Sequence, residues 1–265
     1  MPGSNLREPN VPRPHPSFVS RAPATLLLLL SPAALHAQSI TSDRPGIGSG
    51  SAVLPTGIVQ LESGVSLSSG TGTDAYSIGQ ALIRVGFSSL ELELFANSFV
   101  VARSEAFPAS DDEGFQDIGL GVKVPVLREV GGGRMNLSLQ GILTAPTGSD
   151  SFTNDEWIGG VNALADVSLG DRGGFSANLG ISESGGGGAE VISVIVTPGV
   201  SLSDEVGAYA GWAGFFSDDG DVNFGEGGLT LLASPDVQLD VNGGWALDGD
   251  GWFVGGGVAI RWGAR

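Results

Sequence analysis

The sequence contains no cysteine, and its two histidines, His15 and His36, both lie near the N-terminus. Without Cys there is neither a disulfide framework nor a thiolate metal site. If the N-terminal segment is removed on export, as argued below, the mature chain has no imidazole either. Most nucleophile–base pairs, and nearly all zinc or transition-metal sites, draw on one of these side chains. The sequence therefore predicts no catalytic residues, no metal site and no cofactor, and reads as a protein that is not an enzyme. Carboxylate-only chemistry is the one catalytic alternative left.

Basic residues are scarce, with 12 Lys and Arg against 29 Asp and Glu. Setting aside Arg7, Arg13, Arg21 and Glu8 of the first 37 residues leaves a net charge of about −19. Such a surface repels phosphate backbones, which excludes nucleic acid as a partner. Charged residues of both signs reach only 15%, whereas apolar residues make up 41% and Gly 44 positions. That is too apolar for a disordered chain, and the glycines lack the three-residue period of collagen.

Long apolar runs are missing too. Leu26–Leu30 is far short of the roughly 20 residues that a transmembrane helix needs. Arg21 before it and the ending Ala33-Ala34-Leu35-His36-Ala37 after it have the pattern of a secretory signal cleaved after Ala37. An N-terminal anchor helix is the other reading. The long, Pro-rich leader before Arg21 takes no part in the fold argument.

What the rest of the chain does have is period-2 alternation, the mark of a half-buried strand. In Ile58–Ser68, Val59, Leu61, Val65 and Leu67 alternate with Gln60, Glu62, Ser66 and Ser68. The same holds in Gln80–Phe87, Leu90–Phe99, Gln116–Val126, Met135–Leu143, Val161–Leu169 and Phe175–Ser182. It continues through residues 189–201, 206–216, 224–233, 237–245 and 252–262. Residues 189–201 are the weakest case, being apolar on both faces from Val191 to Val196 apart from Ser193. This makes about 12 segments of about ten residues, matching the 9–11 that a tilted membrane strand needs and the even strand number of bacterial barrels.

The links alternate in kind. Ser88-Ser89, Arg128–Gly133, Gly170–Gly173, Ser203–Glu205 and Ser234–Asp236 are tight. Arg103–Gly114, Pro146–Glu156, Ser217–Asp221 and Leu247–Gly251 are longer or more acidic. Short periplasmic turns and longer outer loops give this asymmetry, with both termini periplasmic. A soluble β-sandwich also alternates. Against it stand the strand length, the small residues on the polar faces, and aromatics near strand ends: Phe87, Phe99, Trp157, Phe215, Phe216, Trp252 and Trp262. The fold expected is all-β, a transmembrane antiparallel up-and-down barrel over 57–265. A signal peptide over 1–37 and a periplasmic segment or plug over 38–56 precede it.

The stretch Thr41-Ser42-Asp43-Arg44-Pro45-Gly46, followed by Pro55-x-Gly57-x-Val59-Gln60-Leu61-Glu62, resembles the start of a family of outer-membrane barrel transporters linked by name to the meta-pathway of phenol degradation. Asp117–Lys123, Ala145–Ser149 and Ser234–Asp240 match further pieces in order, so the resemblance runs from about 41 to 262. The chain departs from the pattern at Ser88-Ser89, where an Asp-Arg pair is expected, and in ending at Arg265 beyond Trp262. The resemblance implies bacterial outer-membrane location and transport of small, aromatic or apolar compounds.

With apolar faces toward lipid, the polar faces line a lumen. Arg84, Glu91, Glu93, Asp117, Lys123, Asp166, Asp240 and Arg261 are its charged candidates. Glu91, Glu93 and Asp117 with Arg84 and Lys123 form either a charge-selective constriction or a salt-bridged network holding strand register, the latter being preferred. Asp43 and Arg44 are the plug candidates, with Arg44 seeking an interior carboxylate; a disordered periplasmic tail is the alternative. The acidic runs Asp111–Glu113, Asp218–Asp221 and Asp248–Gly251 lack calcium-loop spacing and read as solvated loops. The partners expected are outer-membrane lipid, small-molecule solutes, and the barrel assembly machinery through the last strand around Trp262. The function expected is a pore or transporter for small molecules, with a structural or adhesive barrel of filled lumen as the alternative.

Overall fold

The computed structural model describes residues 40–104, 110–183 and 190–263. The signal segment 1–37 with its cleavage site, the Gly185–Gly188 run and Ala264-Arg265 lie outside the described residues. The strands are β1 (Ile58–Gly70), β2 (Thr73–Phe87), β3 (Leu90–Ala96), β4 (Phe99–Ser104), β5 (Ser110–Phe115), β6 (Ile118–Glu129) and β7 (Met135–Ala145). They continue as β8 (Ile158–Ser168), β9 (Gly173–Glu183), β10 (Glu190–Ser201), β11 (Val206–Phe216), β12 (Val222–Ser234), β13 (Val237–Ala246) and β14 (Trp252–Gly263). Among the described residues no helix is long and apolar enough to cross a membrane.

Each sheet neighbour is antiparallel, and β1 pairs with both β2 and β14, so the sheet closes on itself. β3 and β4 are halves of one strand interrupted at Asn97-Ser98, because both pair with β2. β5 and β6 are likewise halves of one strand, pairing with β4 and β3 in turn. Counted this way the wall is a closed barrel of 12 strands.

The pleat sends successive side chains to opposite faces, and here the apolar set points out. Leu139, Val161, Leu179, Leu229 and Val241 are exposed, while Gln60, Arg84, Glu91, Lys123 and Gln140 are each 2% exposed or less. Such a polarity inversion is stable only where the exterior meets hydrocarbon and closure leaves no strand edge unpaired.

Three sequence expectations change. The second strand starts at Thr73, not Gln80, because Gly79 (φ +75°) forms a bulge at which the register with β1 shifts. The bulge reverses the alternation: Gln80 lies beside Gly64, but Val65 is already opposite Ile78, so a strict period-2 reading stops there. The first link is therefore a tight turn at Thr71-Gly72, both residues having positive φ. Most of Arg103–Gly114 is likewise a strand pair, with Arg103 opposite Asp111 and Ala102 opposite Asp112. The two-sided apolarity of β10 has a local cause. Ile195 points inward and is buried, its Cγ2 3.1 Å from where a Cβ on Gly48 of the inner segment would lie.

The membrane face can be tested at Leu139, which lies mid-strand and outward. Leu139→Arg should cost about 2–4 kcal/mol, the depth-dependent penalty for a cation near the bilayer midplane. Leu139→Ile should cost little. Equilibrium unfolding from lipid vesicles measures both, and equal stability of the two variants would place this face in water.

Candidate functional site

Residues 40–56 run along the inside of the wall before entering β1. Ile40 N donates to Pro235 O at the end of the barrel carrying the short turns. Backbone N–H groups of Asp43 and Arg44 and the hydroxyl of Ser42 all donate to the Glu62 carboxylate (2.7–3.2 Å). The Arg44 guanidinium donates to Asp240 at 3.0 and 3.2 Å. The segment then crosses to other strands: Ile47 N donates to Glu226 on β12, Ser49 N and O pair with the Asn178 amide on β9, and Ser51 N and Oγ donate to Asp166 on β8. It returns past Ser138, whose hydroxyl donates to Ser51 O, and reaches Glu91, which accepts from Leu54 N at 2.7 Å. Gly50 N donates to Asp43 Oδ1, closing the loop on itself.

Glycine in the wall makes room for this route. A Cβ built on Gly64 would lie 2.6 Å from the Arg44 guanidinium carbon, and one on Gly257 would lie 2.5 Å from Arg44 Nε. No side chain fits at either position while Arg44 holds Asp240.

The charge cluster gathers at the same level. Arg84 Nε lies 2.7 Å from Glu91, and Arg84 Nη1 lies 3.0 Å from Glu62. Lys123 Nζ lies 2.9 Å from Asp43, 3.1 Å from Glu93 and 3.5 Å from Glu91. Gln140 Nε2 donates to Glu93, and Gln60 Nε2 to Glu62. Asp43, Glu91 and Glu93 are close enough together to hold a metal ion, but the Lys123 ammonium already sits among them. Burial works against the charge on Asp43, yet Arg84 and Lys123 beside it hold its carboxyl below its ordinary range.

The candidates thus separate. Arg84, Glu91, Glu93 and Lys123 share one network, joined through Asp43. Asp117 is not part of it: its carboxylate accepts from the backbone of Thr147, Gly148 and Asn154, pinning the loop after β7. Asp166 and Asp240 hold the inner segment. Arg261 lies at the short-turn end, 3.1 Å from Asp236. Of the aromatics expected at the membrane interface, Phe87, Trp157, Trp252 and Trp262 are exposed, but Phe215 points inward. With Phe224 and Phe253 it walls a cavity of about 380 Å³, bounded also by Arg44, Pro45 and Ile47. Sequence reading missed that wall and Tyr209. The signal for Phe224 and Phe253 was present: both fall on the same alternation as Glu226 and Gly255, which lie on the face opposite the apolar set.

Removing one partner of the network leaves buried charge uncompensated. Arg84→Ala should lose about 3–5 kcal/mol, because Glu62 remains buried without its cation and Glu91 keeps only Lys123, at 3.5 Å. The folded band in heat-modifiable electrophoresis should then disappear at lower temperature than for wild type. An unchanged transition would show that the network contributes nothing to stability.

The fold has solved counterparts. An outer membrane channel from Pseudomonas putida F1 superposes with a TM-score of 0.60 at 15% identity, over 82% of this chain and 99% of that one. The NanC porin aligns with a TM-score of 0.54 at 7% identity, over 76% and 98%. The KdgM porin, solved in complex with disordered oligogalacturonate, aligns at 0.53 with 8% identity, again over 76% and 98%. These similarities establish the barrel architecture. No curated protein matches the sequence. The family model described as "Putative MetA-pathway of phenol degradation" matches residues 42–262, nearly the whole described chain, and the protein belongs to that family.

Proposed function

We propose that the protein is a bacterial outer-membrane channel for passive passage of small molecules, with residues 40–56 acting as an internal plug that narrows the lumen. The observation that carries this reading is a lumen neither open nor filled. A segment hydrogen-bonded to inward side chains crosses it, and cavities of about 480 and 380 Å³ remain among the strands. The exterior apolar band fits a bilayer, and the family and solved counterparts support an outer-membrane address. Export would use the segment 1–37, cleaved after Ala37. Assembly would draw on the last strand around Trp262, recognised by the barrel insertion machinery. Lacking His and Cys in the mature chain, the protein is assigned no catalytic role.

The solute class follows from the cavity walls. Phe215, Phe224, Phe253, Ile47 and Pro45 offer an apolar surface rimmed by Arg44, Asn242 and Gln80, suited to a small aromatic or apolar compound with a polar edge. KdgM was solved with an acidic sugar polymer; the acid-rich lumen of this chain suits such a polyanion poorly. A second reading, a structural or adhesive barrel with filled lumen, is favoured by the many strands to which residues 40–56 are tied.

Planar-bilayer recording separates the two. Wild type should conduct, and deletion of residues 40–50 should raise the unitary conductance. Equal conductance in the two would reject the plug. Silence in both, with heat-modifiable mobility showing folded barrels, would leave the filled-lumen reading.

A further inference from the structure

The two sides of the lumen differ in charge balance. Around β1, β2, β3, β6 and β13, the buried carboxylates face cations: Glu62, Glu91 and Glu93 with Arg84 or Lys123, and Asp240 with Arg44. Around β8 and β12 they do not. Among the described residues, Asp166 accepts from Ser51 and the Ser176 hydroxyl, and Glu226 from Ile47 N and the Tyr209 hydroxyl. No Lys or Arg pairs with either among the described residues. This is also where the inner segment makes no hydrogen bond to β10 or β11, again among the described residues. Apart from Ile195, Tyr209 and Phe215, the inward positions of those two strands carry small groups such as Thr197, Gly199, Gly211 and Ala213.

The larger cavity lies against this side; the smaller reaches it at Phe215 on β11 and Phe224 on β12 and extends toward β1, β2, β13 and β14. The one of about 480 Å³ is lined by Asp166, Ser176, Tyr209 and Thr230, with Asp171 and Arg172 where it opens beside the short turn that follows β8. The aromatic one of about 380 Å³ includes Ile47 and Arg44, whose charge is balanced by Asp240. Glu226 links the two linings, accepting from Tyr209 Oη at 3.3 Å and from Ile47 N at 3.1 and 3.2 Å, and it is 3% exposed.

We propose that the conducting route runs through these two cavities along β10–β12. The Tyr209–Glu226–Ile47 bridge is its constriction, and Glu226 with Asp166 gives it a preference for cationic over anionic solutes. The ion-paired cluster around Arg84 and Lys123 is then scaffold, its charges already balanced locally. The proposal rests on the channel reading and adds to it where the path lies and which groups read the solute. Uncompensated carboxylates in a narrow passage with low-dielectric walls concentrate cations and repel anions. Opening requires no expulsion of the plug. Ile47 sits between Gly46 and Gly48, and a single N–H ties it to Glu226.

Reversal potentials in planar bilayers under a KCl gradient, with unitary conductances, test this. Wild type should prefer K⁺. Glu226→Gln, which keeps the shape and removes the charge, should lower the cation-to-anion permeability ratio several-fold. Tyr209→Phe, which breaks one side of the bridge and keeps the charge, should raise conductance with the preference intact; as the milder change it also stands if the Glu226 variant fails to fold. Heat-modifiable mobility reports the folding of each. A conducting wild type whose selectivity and conductance are unchanged in the folded variants overturns the constriction and leaves the channel reading in place. Silence of the folded wild type and of its 40–50 deletion overturns both.

Discussion

Backbone hydrogen bonding sets the first constraint on this molecule. In hydrocarbon no water is present to satisfy a free N–H or C=O, so a spanning sheet has to close. Pairing of β1 with both β2 and β14 meets that requirement. Once closed, a wall whose outward positions at membrane depth are mostly apolar places its polar side chains at that depth inside. A lumen crowded with carboxylates then needs donors, because a buried charge without them is costly.

Beside wall amides and hydroxyls such as Gln140, Gln60, Ser176 and Tyr209, those donors come from two main sources, and their division organises the interior. Arg84 and Lys123 supply cations to Glu62, Glu91, Glu93 and Asp43. Residues 40–56 supply backbone N–H groups and hydroxyls, whose partners include Glu62, Glu91, Glu226 and Asp166. The inner segment is therefore as much a counter-charge as an obstruction: without its N–H groups several carboxylates in a closed space would lose their partners. Its run Pro45-Gly46-Ile47-Gly48-Ser49-Gly50 suits this use. Small residues let the backbone approach the wall closely, and it is the backbone that carries the donors.

How far the site was legible varies from residue to residue. Arg84, Glu91, Glu93 and Lys123 could be read because alternation assigns each to the inner face and neighbouring strands place them side by side. Asp43 and Arg44 could be named because a charged pair just before the first strand needs partners. Asp117 was misplaced because alternation gives a face but not a height: the loop after β7 folds inward to meet it. Phe215 was misread because an aromatic near a strand end looks the same on either face until the register is known. The bulge at Gly79 hid the first half of β2, since a single unpaired residue inverts the alternation on which the reading depends.

By itself the sequence determined the class of fold, a count of about 12 strands and, for most of them, which face meets lipid. These follow from a local period of two residues, which any short window contains. Only the tertiary structure decided which lumen charges meet, which stay unpaired, and that residues 40–56 pass beside Glu62, Glu226, Asp166 and Glu91 in turn. Those facts depend on contacts between positions far apart in the chain, such as Arg44 with Asp240, and closing the barrel is what brings them together.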